Sequence, residues 1–229
     1  MAKFEEELKQ IEIFERFPNL IPHVSNNYGN GKHKKLLLVW ESYYDSWDLL
    51  KDKSVDDWYK DEDTPQLWES YPKKAGKHWN FKCKIDKDGC DKSGGTFLNP
   101  EEVLKTVEKE DPYSYCAGYN YFLRPAPEAI TLNIKEIDEK YAFEAFKKIV
   151  DIIKPDMIAF FSKKSYNSFK KYRAKQEAAE LALLNDTKLF ENIKIKAVQH
   201  PACAWWNKKS GKESKMTGRE RFENFIINW

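Results

Sequence analysis

The sequence predicts an α/β fold: a three-layer α/β/α sandwich around a short, mainly parallel central sheet. Three observations predict it. Short apolar runs alternate with longer stretches whose apolar residues recur at helical spacing, which is the pattern of parallel strands joined by helices. Two of those runs share a layout. Leu36-Leu37-Leu38-Val39 passes straight into Trp40-Glu41-Ser42-Tyr43-Tyr44-Asp45, and Ile193–Val198 passes into Gln199-His200-Pro201-Ala202-Cys203-Ala204-Trp205-Trp206. Finally, no internal repeat is present.

The elements follow in order. Phe4, Leu8, Ile11 and Phe14 fall on one helical face, so a leading helix is expected over about residues 3–17, closed by Pro18 and Pro22. Lys35–Val39 is nearly all apolar, as suits a strand buried on both faces. Residues 46–98 scatter Trp47, Trp58, Trp68 and Trp79 among charges without a period. They read as an insertion holding one or two short helices, with Lys82–Gly95 as an exposed loop. Asn99-Pro100-Glu101-Glu102 has the form of a helix start: Asn as N-cap, Pro at the first helical position, acids in the first turn. That helix should end near Glu110. Tyr113–Phe122 is the next β-prone run, broken by Arg124-Pro125-Ala126-Pro127.

Asp138 can cap a helix carrying Phe143, Phe146, Ile149, Val150 and Ile153 on one face. Met157–Phe161 reads as a buried strand and Ser165–Leu184 as a long helix. Ile193–Val198 is the last strand. Thr217-Gly218-Arg219-Glu220 has capping-box spacing and opens a helix with Phe222, Phe225, Ile226 and Trp229 inward. A single domain spanning 1–229 is expected.

Composition bounds the class. The chain of 229 residues is 41% hydrophobic, enough for a substantial core, and its eight Trp and twelve Tyr suit an aromatic-heavy core or base stacking. A net charge of +2 neither demands nor excludes nucleic acid, because a local patch is what matters there. No apolar run approaches a membrane span and the amino terminus lacks the apolar stretch of a signal peptide, so a soluble, cytoplasmic protein is expected, as a monomer. The four cysteines lack the spacing of a disulfide framework. Cys83 and Cys90, with His78 nearby, form no close pair of the metal-site kind, so neither metal nor cofactor is expected.

Ligands in open parallel sheets bind beyond the carboxyl ends of the strands. A carboxylate after the first strand and His200 after the last therefore belong to one rim. Four segments there resemble, in order, the motifs of the uracil-DNA glycosylase superfamily: Leu36–Tyr44, Tyr119-Asn120-Tyr121, Ile153-Lys154-Pro155-Asp156-Met157-Ile158, and His200-Pro201-Ala202. The resemblance covers roughly residues 35–45 and 113–229. It departs from the family at Trp40 (usually Gly), Ser42 (the water-activating Asp of one branch), Tyr43 (Pro) and Ala202 (Ser).

The resemblance implies a DNA glycosylase that flips out uracil or a modified base and hydrolyses its N-glycosidic bond. It puts Glu41 first as the catalytic carboxylate, with Asp45 second, and His200 as donor to the departing base oxygen. It puts Asn120 at the base-reading position, with Tyr43 or Tyr44 stacking on the base. In the loop after His200, Trp205 and Trp206 would wedge the duplex while Lys208, Lys209, Lys212 and Lys215 contact phosphates. Lys163, Lys164, Lys170, Lys171 and Arg173 add charge near another strand end. Each of these residues also has a structural alternative: a helix cap or buried ion pair for Glu41, a core histidine for His200, a turn for Asn120, and packed rings beside a solvated lysine loop. Two other functions compete. One is an inert module of the same fold that binds nucleic acid or protein. The other is a hydrolase or transferase acting on a free nucleoside or other small ligand.

Overall fold

Leu36, Leu37, Leu38 and Val39 are all fully buried, because the strand they begin has a neighbour on each side and helices over both faces. The computed structural model describes residues 2–45, 54–64, 95–127, 132–183, 189–209 and 215–229. Its five strands are β1 (His23–Val24), β2 (Leu36–Asp45), β3 (Cys116–Pro127), β4 (Met157–Phe160) and β5 (Lys194–Ala197), in the order β1-β3-β2-β4-β5. β1 lies antiparallel on the edge, and the other four are parallel. The protein is thus a mixed α/β fold with a mainly parallel sheet.

Alternation along β2 splits the core in two. Leu37 and Val39 join one cluster with α1 (Ala2–Lys9), α2 (Glu12–Arg16), α3 (Val55–Lys60), α5 (Glu136–Ile153) and α6 (Lys163–Leu183). Leu36, Leu38 and Trp40 join another with α4 (Gly95–Leu104) and α7 (Gly218–Ile226). Each fully buried aliphatic or aromatic side chain stabilises by about 1.5–3 kcal/mol, so two such clusters supply the main favourable term. On the outer edge, β5 alternates exposed Lys194 and Lys196 with half-buried Ile195 and Ala197, and lysines of this kind discourage edge-to-edge pairing.

Several elements differ from expectation. The leading helix is two helices, parted at Gln10–Ile11. A straight helix would turn Ile13 and Phe17 away from the face of Phe4, Leu8 and Ile11; the break lets Leu8, Ile11, Ile13, Phe14 and Phe17 all be buried. β3 continues through Arg124-Pro125-Ala126-Pro127 instead of stopping there. Its register with β2 shifts between Ser42↔Phe122 and Tyr44↔Ala126, so Pro125 sits where the ladder needs no N–H. Tyr113 and Tyr115 belong to a 3-10 turn before the strand. α6 begins at Lys163, ahead of the expected Ser165. Most of the expected insertion at 46–98 lies outside the described residues, as do His78, Cys83 and Cys90. Its described part includes α3, opened by a capping box between Ser54 and Asp57.

Asp138 is the third residue of α5, not its cap, and is fully buried. It accepts from Arg124 Nε and Nη2 at 2.8 Å each, from the Tyr59 hydroxyl at 2.9 Å and from the Lys135 amide at 2.8 Å. Burial first, and then the Asp138 charge, push the Tyr59 phenol well above its usual range, so it stays a donor. One carboxylate therefore ties α3, β3 and α5 together. None of the described helices is long and apolar enough to cross a membrane.

Candidate functional site

The sheet is stepped at its carboxyl edge. β4 and β5 end at Phe160 and Ala197, level with Val39, while β2 and β3 run on to Asp45 and Pro127. Phe161 N–H donates to Val39 O at 2.8 Å and Val198 N–H to Phe160 O at 2.7 Å, which brings both departing chains onto the step. Glu41 rises from β2 there, Ser162 follows β4, and His200 follows β5. Glu41 thus stands inside a longer strand, at the level where its neighbour stops.

The Ser162 hydroxyl donates to Glu41 Oε2 at 2.6 Å. It also accepts from the amides of Lys164 and Ser165 at 3.1 and 3.3 Å, as the N-cap of α6. His200 feels Glu41 electrostatically, but burial outweighs that attraction and pushes the imidazole below its ordinary range. The ring is therefore mainly neutral at pH 7. The Ala202 amide donates to Nδ1 at 3.2 Å, so the proton of the neutral ring resides on Nε2.

The loop bearing His200 is clamped from two helices. α4 already includes Gly95, so Asn99 and Pro100 lie within it instead of opening it. Freed from capping, Asn99 Nδ2 donates to Pro201 O at 2.6 Å. Pro100 has no N–H for the Thr96 carbonyl, which instead accepts from Trp40 Nε1 at 3.4 Å. A methyl on Gly95 would lie 3.3 Å from Ala202 Cα and 2.6 Å from Asn99 Nδ2. On the other side, a methyl on Gly218 of α7 would lie 2.7 Å from Gln199 Cβ and 3.2 Å from Trp206 Cα.

Asn120 faces the same end of the sheet from β3, opposite Trp40, and is 7% exposed. Its side chain hydrogen-bonds the hydroxyl of buried Tyr43, whose pKa burial drives up. Among the described residues no hydrogen bond or ion pair joins Asn120 to Glu41 or His200. Glu41 and His200 interact electrostatically, with no hydrogen bond or ion pair between them, whereas Asn120 is bonded to Tyr43. Tyr44 and Asp45 belong to β2, opposite Ala126 and Pro127, with side chains outside the described set.

Trp205 and Trp206 part company. Both lie in a 3-10 turn, Ala204–Trp206, where neighbouring side chains point about 120° apart. Trp205 is 47% exposed, whereas Trp206 is 1% exposed and packs on Phe161 and Phe222. Trp206 is therefore a core residue, and its expected role as a duplex wedge is withdrawn. Lys208, Lys209 and Lys215 are exposed; Lys212 lies outside the described residues. Ser162, bonded to Glu41, and Asn99, bonded to Pro201, were not singled out from the sequence. The signal for Ser162 was present, since Ser after an apolar run and before a helical one marks an N-cap.

An open groove of about 990 Å³ between α3, α5 and α6 is lined by none of Glu41, Ser162, Asn120 or His200. Set against family models, curated proteins and solved structures, the chain matches none of them.

Proposed function

We propose that the protein is a DNA glycosylase of the uracil-DNA glycosylase type, which flips out uracil or a modified base and hydrolyses its N-glycosidic bond. The observation that carries this reading is the electrostatic interaction of Glu41 with a neutral, Nε2-protonated His200 where the strands end at one edge of the sheet. Cleavage of the bond leaves an anionic base and an oxocarbenium-like sugar. Glu41 supplies negative charge beside the sugar, and His200 donates from Nε2 to the oxygen of the departing base. A neutral donor suits this task, because it binds the developing anion without first having to be protonated. Exposed Trp205, with Lys208, Lys209 and Lys215, is the surface that meets DNA, the ring entering the stack and the lysines neutralising phosphates.

One observation favours a second reading. Asn120 is buried and already bonded to Tyr43, so base reading requires Tyr43 to give way. A module that binds nucleic acid without excision would keep that pair closed. The deciding experiment incubates the protein with oligonucleotides, each carrying one of a series of damaged or modified bases, and then cleaves abasic sites with alkali. Cleavage dependent on Glu41 and His200 supports the glycosylase. Tight binding with no abasic product from any base supports the inert module.

A further inference from the structure

We propose that Ser162 is a positioning residue, whose hydroxyl, oriented by the first-turn amides of α6, holds the Glu41 carboxylate in place beside His200. The proposal rests on the reading of Glu41 and His200 as the working pair.

The argument is one of hydrogen-bond inventory. A serine hydroxyl has one hydrogen and two acceptor sites. Both acceptor sites of Ser162 are used by the amides of Lys164 and Ser165. The hydrogen is left with one direction, and Glu41 Oε2 stands in it at 2.6 Å, within the short range of a hydroxyl donating to a carboxylate. Ser162 is 4% exposed, so water does not compete strongly for the bond. Capping alone would not need this arrangement: Glu41 comes from a different strand, and an N-cap serine is satisfied without a carboxylate partner. The positive end of the 21-residue helix α6 lies behind the hydroxyl and favours a negative charge in front of it. Glu41 has no other hydrogen-bond or ion-pair partner among the described residues, so its second oxygen is left for a ligand and its orientation depends on Ser162.

The test does not need a substrate. The side-chain nitrogens of His200 are followed through a pH titration by NMR in wild type, Glu41→Gln, Ser162→Gly, Ser162→Ala and Ser162→Thr. Glu41 is the charge that raises the His200 pKa against burial. Glu41→Gln should therefore move the midpoint down. Ser162→Gly and Ser162→Ala should move it the same way, because an untethered carboxylate swings into water, while Ser162→Thr should keep the wild-type midpoint. Gly still starts a helix well, so Ser162→Gly separates loss of the hydroxyl from loss of the cap should the Ala variant fold poorly. A shift in Glu41→Gln with none in Ser162→Gly would reduce Ser162 to a helix cap and overturn the proposal. No shift in Glu41→Gln would remove the Glu41–His200 pair, and the proposal with it. On a DNA that the wild type processes, Ser162→Gly should excise about ten- to a hundredfold more slowly in single turnover, with Ser162→Thr near wild type. Absence of excision by wild type, with the NMR shifts present, would refute the glycosylase and leave the positioning role standing.

Discussion

Replacing Asp138 with Ala should destabilise the fold by about 3–5 kcal/mol, the usual cost of removing one partner from a buried ion pair. Asp138 is fully buried and receives two bonds from Arg124, one from Tyr59 and one from the Lys135 amide. Truncation leaves the guanidinium, whose side chain is only 15% exposed, with the Asn133 carbonyl as its remaining hydrogen-bond partner among the described residues. It also strips the acceptor from a phenol and an amide. Against a typical total stability of about 5–15 kcal/mol, that is a large fraction. Urea unfolding followed by circular dichroism would measure it, with the midpoint falling at constant slope. The double variant Arg124→Met/Asp138→Leu should recover much of the loss, since the penalty comes chiefly from the stranded charge. A loss under about 1 kcal/mol in Asp138→Ala would show that water reaches the cluster, and the argument from burial would fail.

Other outcomes are expected. Trp206→Ala should cost about 3–5 kcal/mol in the same urea assay, while exposed Trp205→Ala should stay within about 0.5 kcal/mol and instead slow excision from duplex more than from single strands. Changing Lys208, Lys209, Lys212 and Lys215 together to Ala should weaken DNA binding and flatten its salt dependence; an unchanged slope would make that loop a solvated surface only. Glu41→Gln and His200→Ala should each slow excision by roughly a hundredfold while leaving the unfolding midpoint near wild type. The His200 pKa, lowered in the folded state, gives a pH signature. Below the unfolded value of 6.5 the unfolded chain binds a proton that the folded one resists, so His200 removes stability as pH falls through that value, and the effect levels off below the folded pKa. His200→Gln should lose less stability than wild type on going from neutral to mildly acidic pH, and parallel curves for the two would count against a buried imidazole.

β2 and β4 were legible as short apolar runs, β3 and β5 as β-prone runs, and α7 because Thr217 and Glu220 stand at capping distance and do cap it. The placement of His200 just after β5 was legible in the same way, whereas Glu41, expected at a strand end, lies inside β2. What stayed hidden depends on contacts distant in sequence. Asn99-Pro100 has the form of a helix start, yet both lie inside α4, where Asn99 bonds Pro201 far along the chain. Trp205 and Trp206 are indistinguishable as letters; the turn decides which one faces Phe161. Pro125 reads as a strand breaker unless the slip in the β2–β3 register is known. The partnership of Asn120 with Tyr43 likewise has no local sequence signal.

The two glycines around the His200 loop have a mechanical consequence. Where helix and loop meet through Gly95 and Ala202, and through Gly218 and Gln199, a methyl on either glycine would have to push the loop or its neighbouring side chains aside. Close-packed contacts of this kind transmit displacement instead of damping it. A shift of α4 or α7 would therefore be felt in the loop that bears the imidazole. α4 and α7 thus grip the His200 loop from two sides, with no room for a Cβ at either contact.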